Sequence, residues 1–292
     1  MARQMSELVP MLPSGVRSTG RKALLGIRKL SAGRRPLPDF IVIGAMKAGT
    51  TALWAYLREH PEITGPPWKE TSHFDRYGAT GERAYRAHFP LRVRAGTLVG
   101  EASPGYVFHP VVPQRVHELI PDVRLIVLLR DPVARAFSHY QHAVGLGRED
   151  LSFDDALAAE PQRLAGVEER MIADPAYFSH EWWDHSYFSR GLYAEQLERW
   201  LAVFPREQLL VLTSDELADD TDATYNRVLA HIGARPHSLP KYPRVYENTY
   251  RAAPMTEATR AALRERYAEP DAKLDALGVL GRPLPWRSDA SA

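Results

Sequence analysis

Apolar residues in this chain fall into short unbroken blocks separated by longer amphipathic stretches. Phe40-Ile41-Val42-Ile43 is wholly apolar, largely β-branched and closed by Gly44. That is the pattern of a parallel strand buried on both faces. Thr50 to Glu59 follows with a helical pattern. A second strong strand, Arg124 to Leu129, is closed by Arg130-Asp131-Pro132, and Pro132 suits the first turn of a helix reaching about Val144. Weaker strands are predicted at Thr97 to Gly100 and at Gln208 to Thr213. Gly191 to Phe204 sets Leu192, Gln196, Trp200 and Phe204 at helical spacing. Thr221 to Ile232 is a further helix stopped by Gly233, and the tail from Thr256 keeps a helical pattern to Tyr267. Strands alternating with helices predict an α/β fold: an open, mostly parallel sheet with helices on both faces.

Composition narrows the chemistry. The chain has 292 residues, enough for one large α/β domain or two small ones, and no cysteine. That excludes a disulfide framework, thiolate–metal sites and a cysteine nucleophile. Net charge is +1, so bulk electrostatics call for no nucleic-acid partner. No stretch approaches the roughly 18–20 apolar residues of a membrane span. Residues 1–38 stand apart: Arg3, Arg17, Arg21, Lys22, Arg28, Lys29, Arg34 and Arg35 face the single acid Glu7. We expect a basic, poorly ordered arm ahead of a domain over 39–292. The other reading of the arm is a basic patch that meets an anionic partner or membrane surface. Without a signal-peptide core or an anchor, the expected location is cytoplasmic.

The segment Gly44-Ala45-Met46-Lys47-Ala48-Gly49-Thr50-Thr51 lies between a buried strand and a helix. Backbone N–H groups of such a loop and the positive end of the helix make an anion site. Its glycines have the spacing of a nucleoside-triphosphatase phosphate loop. However, Thr50 stands where that loop carries lysine, and the lysine has moved forward to Lys47. No metal-ligand spacing emerges from the eleven histidines.

These residues carry a resemblance. Ile43 to Leu53 resembles the 5′-phosphosulfate loop of sulfotransferases that use 3′-phosphoadenosine 5′-phosphosulfate (PAPS). Leu129-Arg130-Asp131-Pro132-Val133-Ala134-Arg135-Ala136-Phe137-Ser138 resembles the same family's 3′-phosphate motif, with Arg130 and Ser138 in the binding positions. Lys69-Glu70-Thr71-Ser72-His73-Phe74-Asp75 is similar to the Lys-Glu segment of the heparan-sulfate-type branch, which supplies the catalytic base. The resemblance runs from about Asp39 to Trp286 and implies the sulfotransferase fold, with no metal. It implies Glu70 as general base and Lys47 as the cation on the leaving oxygen. It also implies a 5′-phosphate cradle of Lys47, Ala48, Gly49, Thr50, Thr51 and Ala52, with Tyr193 and Arg251 as further nucleotide contacts. Ser72 and His73 replace the branch's usual histidine and aromatic residue, which makes His73 a rival base.

The acceptor is less legible. Residues 145–190 form an insertion rich in acids and aromatics, including Tyr177, Phe178, Trp182, Trp183, Tyr187 and Phe188. Such rings suit a pocket for a small-molecule, glycan or lipid-like acceptor, and suit equally the packing of a helical insert against the sheet. Ala102 stands where the family often has a lysine, which speaks against a highly anionic glycan. Two other functions compete: a P-loop kinase or NTPase, which would need Mg²⁺, and a nucleotide-binding protein without catalysis.

Overall fold

The computed structural model describes residues 14–76, 80–243, 245 and 253–287, with side chains from residue 20 onward. Five parallel strands form the sheet: β1 (Phe40–Gly44), β2 (Ile63–Thr64), β3 (Leu98–Ala102), β4 (Arg124–Leu129) and β5 (Leu209–Thr213), in the order β2-β3-β1-β4-β5. Every residue of β1 is buried, so both faces of the sheet are covered. The helices are α1 (Ser14–Lys29), α2 (Thr50–Glu59), α3 (His73–Arg76), α4 (Glu82–Arg86) and α5 (Val112–Leu119), then α6 (Pro132–Gly145), α7 (Phe153–Leu164), α8 (Val167–Ala173) and α9 (His180–Asp184). The chain ends with α10 (Tyr193–Leu201), α11 (Ser214–Asp219), α12 (Thr221–Ile232) and α13 (Glu257–Ala276).

Connections from β1 build the sheet in one direction through β2 and β3; β4 and β5 extend it in the other. The crevice beyond the carboxyl ends of β1 and β4 is therefore a topological switch point, where open α/β sheets bind ligands. The β1–β3 contact leaves little room. Gly100 pairs with Phe40, and a Cβ at Gly100 would lie 2.1 Å from the ring of that fully buried residue. Gly100→Ala should therefore destabilise the fold by about 1–3 kcal/mol through overpacking, read as a lower urea midpoint.

The structure adds several elements to the sequence expectation, among them the short helices α3, α4, α5 and α11. The short strand β2 pairs with β3, although two residues are too few to show a periodicity. Helix α13 continues past Tyr267 through Pro270 to Ala276. Proline removes one hydrogen bond there, but Leu263, Tyr267, Asp271 and Leu274 recur on one face and are buried, so packing outweighs the local cost. The arm carries a regular element: Ser14–Lys29 is helix α1. Its arginines find backbone carbonyls on the domain. Arg28 Nη2 and Arg35 Nη1 both donate to the Phe89 carbonyl, at 2.5 and 2.6 Å. Arg86 Nη1 returns a bond to the Arg35 carbonyl, also at 2.5 Å.

Candidate active site

The loop after β1 bends sharply. Gly49 caps α2 in the left-handed region with φ 95°, and no side chain caps the first turn. The leading N–H groups of α2 thus face outward beside Thr50 and Thr51, at the positive end of the helix dipole. Close packing fixes the loop's start, because a Cβ on Gly44 would sit 2.4 Å from Val107 Cγ1. Lys47, at the loop crest, also has positive φ, 71°. Its pKa is lowered first by burial and then by the charges of Arg130, Lys69 and Arg135, while Glu70 opposes the shift.

Arg130 emerges from the end of β4, next to β1 in the sheet, and its Nη1 donates to the Lys47 carbonyl at 3.1 Å. Sequence alone leaves an ion pair with Asp131 open for this arginine. The fold removes that option: Asp131 caps α6 by accepting from Val133 N and takes a bidentate ion pair from Arg264, at 2.9 and 2.8 Å. Among the described residues Arg130 forms no ion pair. Ser138 lies two turns along α6 and is half-buried. Tyr193 is buried, and its hydroxyl donates to the Arg130 carbonyl at 2.9 Å. It fastens the strand end that carries Arg130. Arg251 lies outside the described residues.

The third segment docks on the end of β3. Glu70 N donates to the Ala102 carbonyl at 3.0 Å, and Thr71 Oγ1 donates to Glu101 Oε2 at 2.5 Å. Tyr106 OH accepts from His73 N at 3.0 Å. Glu70 and Ser72 have φ 66° and 49°; with Lys47 they are the non-glycine residues of positive φ among the described residues. Such strain costs about 1–3 kcal/mol per residue and clusters at functional sites, and here it falls in the two loops that meet. Glu70 keeps its carboxylate 42% exposed, paired with Lys69 at 2.9 Å. His73 is different: 3% exposed and stacked on Tyr85 at 4.6 Å. Burial, with the charges of Arg115 and Lys29, lowers its pKa to about 4. Glu70 and Lys47 come together; His73 turns into the aromatic cluster with Phe74 and Tyr85.

Two buried carboxyls behind this segment were less evident from sequence. Glu101 is pushed up to about 7 by burial, against hydrogen bonds from Thr71 and Tyr106 that favour its ionised form. Asp75 also reaches about 7, through burial and the nearby Glu101 and Glu70 charges, with Arg190 and Arg76 opposing. Among the described residues neither Asp75 oxygen has a hydrogen-bond partner. Gly105 lets this carboxyl approach the backbone, since a Cβ there would be 2.6 Å from Asp75 Oδ2 and 2.8 Å from the Trp183 ring. The insertion's aromatics pack against other residues of the domain. Trp182 stacks on Phe108 in the core and Tyr187 is fully buried. Trp183 and Phe178 hold Arg76 over their rings at 5.2 and 4.4 Å, beside Asp75.

Comparison with known proteins identifies the family. The family model described as Sulfotransferase domain matches residues 37–260. The chain belongs to the sulfotransferase family. A crystal structure of a sulfotransferase from Alicyclobacillus acidocaldarius is similar, at 34% identity and a TM-score of 0.68, covering 86% of this chain and 99% of that one. Among curated proteins, Heparan sulfate glucosamine 3-O-sulfotransferase 3B1 of Mus musculus is 33% identical over 204 residues, 70% of this chain and 48% of its own length. The 3A1 enzyme of Homo sapiens is 33% identical over 224 residues, 76% of this chain and 51% of its own. The sulfotransferase chain thus spans about half the length of these relatives.

Proposed function

We propose that this sulfotransferase carries a sulfuryl group from PAPS to a hydroxyl or amine of a small-molecule, glycan or lipid-like acceptor. The observation that carries the reading is the junction of Arg130 with the Lys47 carbonyl across the β1–β4 crevice. It joins the two segments that would serve as anion sites, as a donor with two separated phosphate groups requires. Arg130, a fixed-charge fork, and the Ser138 hydroxyl would take the 3′-phosphate. The N–H groups from Ala48 through Ala52, with the Thr50 and Thr51 hydroxyls, would take the 5′-phosphate. The donor supplies an activated sulfur–oxygen bond. Glu70 accepts the proton of the acceptor group as its oxygen or nitrogen bonds to sulfur. Lys47 stabilises the charge left on the bridging oxygen when the old bond breaks. The products are the sulfated acceptor and 3′-phosphoadenosine 5′-phosphate. Among the described residues no three His, Asp or Glu side chains gather as a metal site, and the roles above require none.

Calorimetric titration tests the donor. The protein should bind 3′-phosphoadenosine 5′-phosphate without Mg²⁺, and adenosine 5′-phosphate at least ~10-fold more weakly, because charged hydrogen bonds are lost with the 3′-phosphate. Preference for ATP with Mg²⁺ would overturn the proposal in favour of a kinase or NTPase.

A further inference from the structure

Helix α1 has a fastened side and a bare side, and the transfer site uses only the first. On the fastened side Arg21 Nη2 donates to the Glu70 carbonyl at 3.0 Å and its guanidinium lies 4.8 Å over the Trp68 ring. Arg28 is bonded to Phe89. The bare side presents Ala23 and Ile27 to solvent, Leu24 sits at its border with Arg21 and Arg28, and Leu30 continues the exposed apolar run past the helix end. Leu24, Ile27 and Leu30 are 43%, 68% and 84% exposed. Of the seven large hydrophobic side chains exposed among the described residues, these three fall within one seven-residue span. Lys22, Lys29 and Arg34 are exposed in the same stretch, and residues 14–38 contain no acid.

No described helix is long and apolar enough to cross a membrane, but an interfacial helix needs neither property. We propose that α1 and the turn after it form a peripheral docking surface for an anionic lipid bilayer. Ile27 and Leu30 would enter the boundary between headgroups and acyl chains, with Leu24 at its edge. Lys22, Lys29 and Arg34 would extend their charged ends to the headgroups, as long basic side chains do. Charge separates this occupant from the alternatives. A second copy of the chain would press an all-basic segment against itself, which like-charge repulsion opposes. A bilayer supplies an apolar phase and a negative surface together. Because Arg21, roughly 120° round the helix from Ile27, bonds the Glu70 carbonyl, docking brings the Glu70 segment within about one helix diameter, ~10–12 Å, of the headgroups.

Co-sedimentation of the full chain with vesicles tests this. Phosphatidylcholine–phosphatidylglycerol vesicles should capture the protein, phosphatidylcholine vesicles should not, and added salt should release it. Ile27→Glu with Leu30→Glu should lower capture at least ~10-fold, and Lys22→Gln and Lys29→Gln roughly fivefold each. These side chains are exposed, so melting temperature and nucleotide affinity should stay unchanged, which shows that the variants fold. Equal capture of variant and parent would overturn the proposal, as would no capture by either vesicle. Loss of a dimer in the Glu variant, without vesicle binding by the parent, would make the face a self-association surface instead.

Discussion

Glu70→Gln should lower turnover by at least ~10²-fold, the usual contribution of a general base, while leaving affinity for 3′-phosphoadenosine 5′-phosphate unchanged. Glutamine preserves the shape of the side chain and its position on the strained backbone, but it takes no proton from the acceptor. The residue is suited to separating chemistry from folding, because its carboxylate is partly exposed and bonded to Lys69 rather than packed. A second readout follows from charge. Glu70 opposes the downward shift of the Lys47 pKa. Removing that negative charge makes the ammonium easier to deprotonate, so the alkaline fall in residual activity should begin at lower pH than in the parent. Near-normal turnover would move the base elsewhere, and His73→Ala would then be the next comparison. That histidine is stacked on Tyr85 and 3% exposed, so its loss should reduce stability more than rate.

The segments of the proposed site that are local in sequence stand out there, and the contacts the sheet assembles between them do not. A buried strand, a glycine-bounded loop and a helix start announce an anion site because one short segment carries all three. Arg130 is a candidate phosphate ligand from the family motif that Leu129 to Ser138 resembles. Its contact with Lys47 joins residues 83 positions apart and follows only from β1 and β4 being neighbours. The same holds for Arg264, whose pairing with Asp131 spans 133 positions, and for Arg21 on Glu70. Base choice illustrates the limit well. Glu70 and His73 are three residues apart and equally able to accept a proton on paper. Positive φ at Glu70 and Ser72 is the backbone event that sends one outward and the other into the aromatic cluster. An arginine-rich arm, similarly, resembles a solvated tail until the carbonyls that receive its guanidinium groups are known.

Arg130→Ala should weaken binding of 3′-phosphoadenosine 5′-phosphate by about 2–5 kcal/mol, the range for removing one partner of a desolvated charged contact. The half-buried position of the residue favours the low end, roughly 30-fold in affinity. The residue is freed for that contact by its neighbours. Arg264 and the α6 N-terminus occupy Asp131, and Tyr193 holds the Arg130 carbonyl so that the side chain leaves the strand in a fixed direction. Arg130→Lys should recover only part of the loss, since an ammonium restores charge without the planar fork. A simple drop in affinity would also follow if Arg130 merely supported the Lys47 loop, through its bond to that carbonyl. A double cycle separates the two causes. If Arg130 binds the 3′-phosphate, the substitution should cost little with adenosine 5′-phosphate, because the group it serves is already missing. If it only shapes the loop, both nucleotides should weaken equally, and the 3′-phosphate assignment fails.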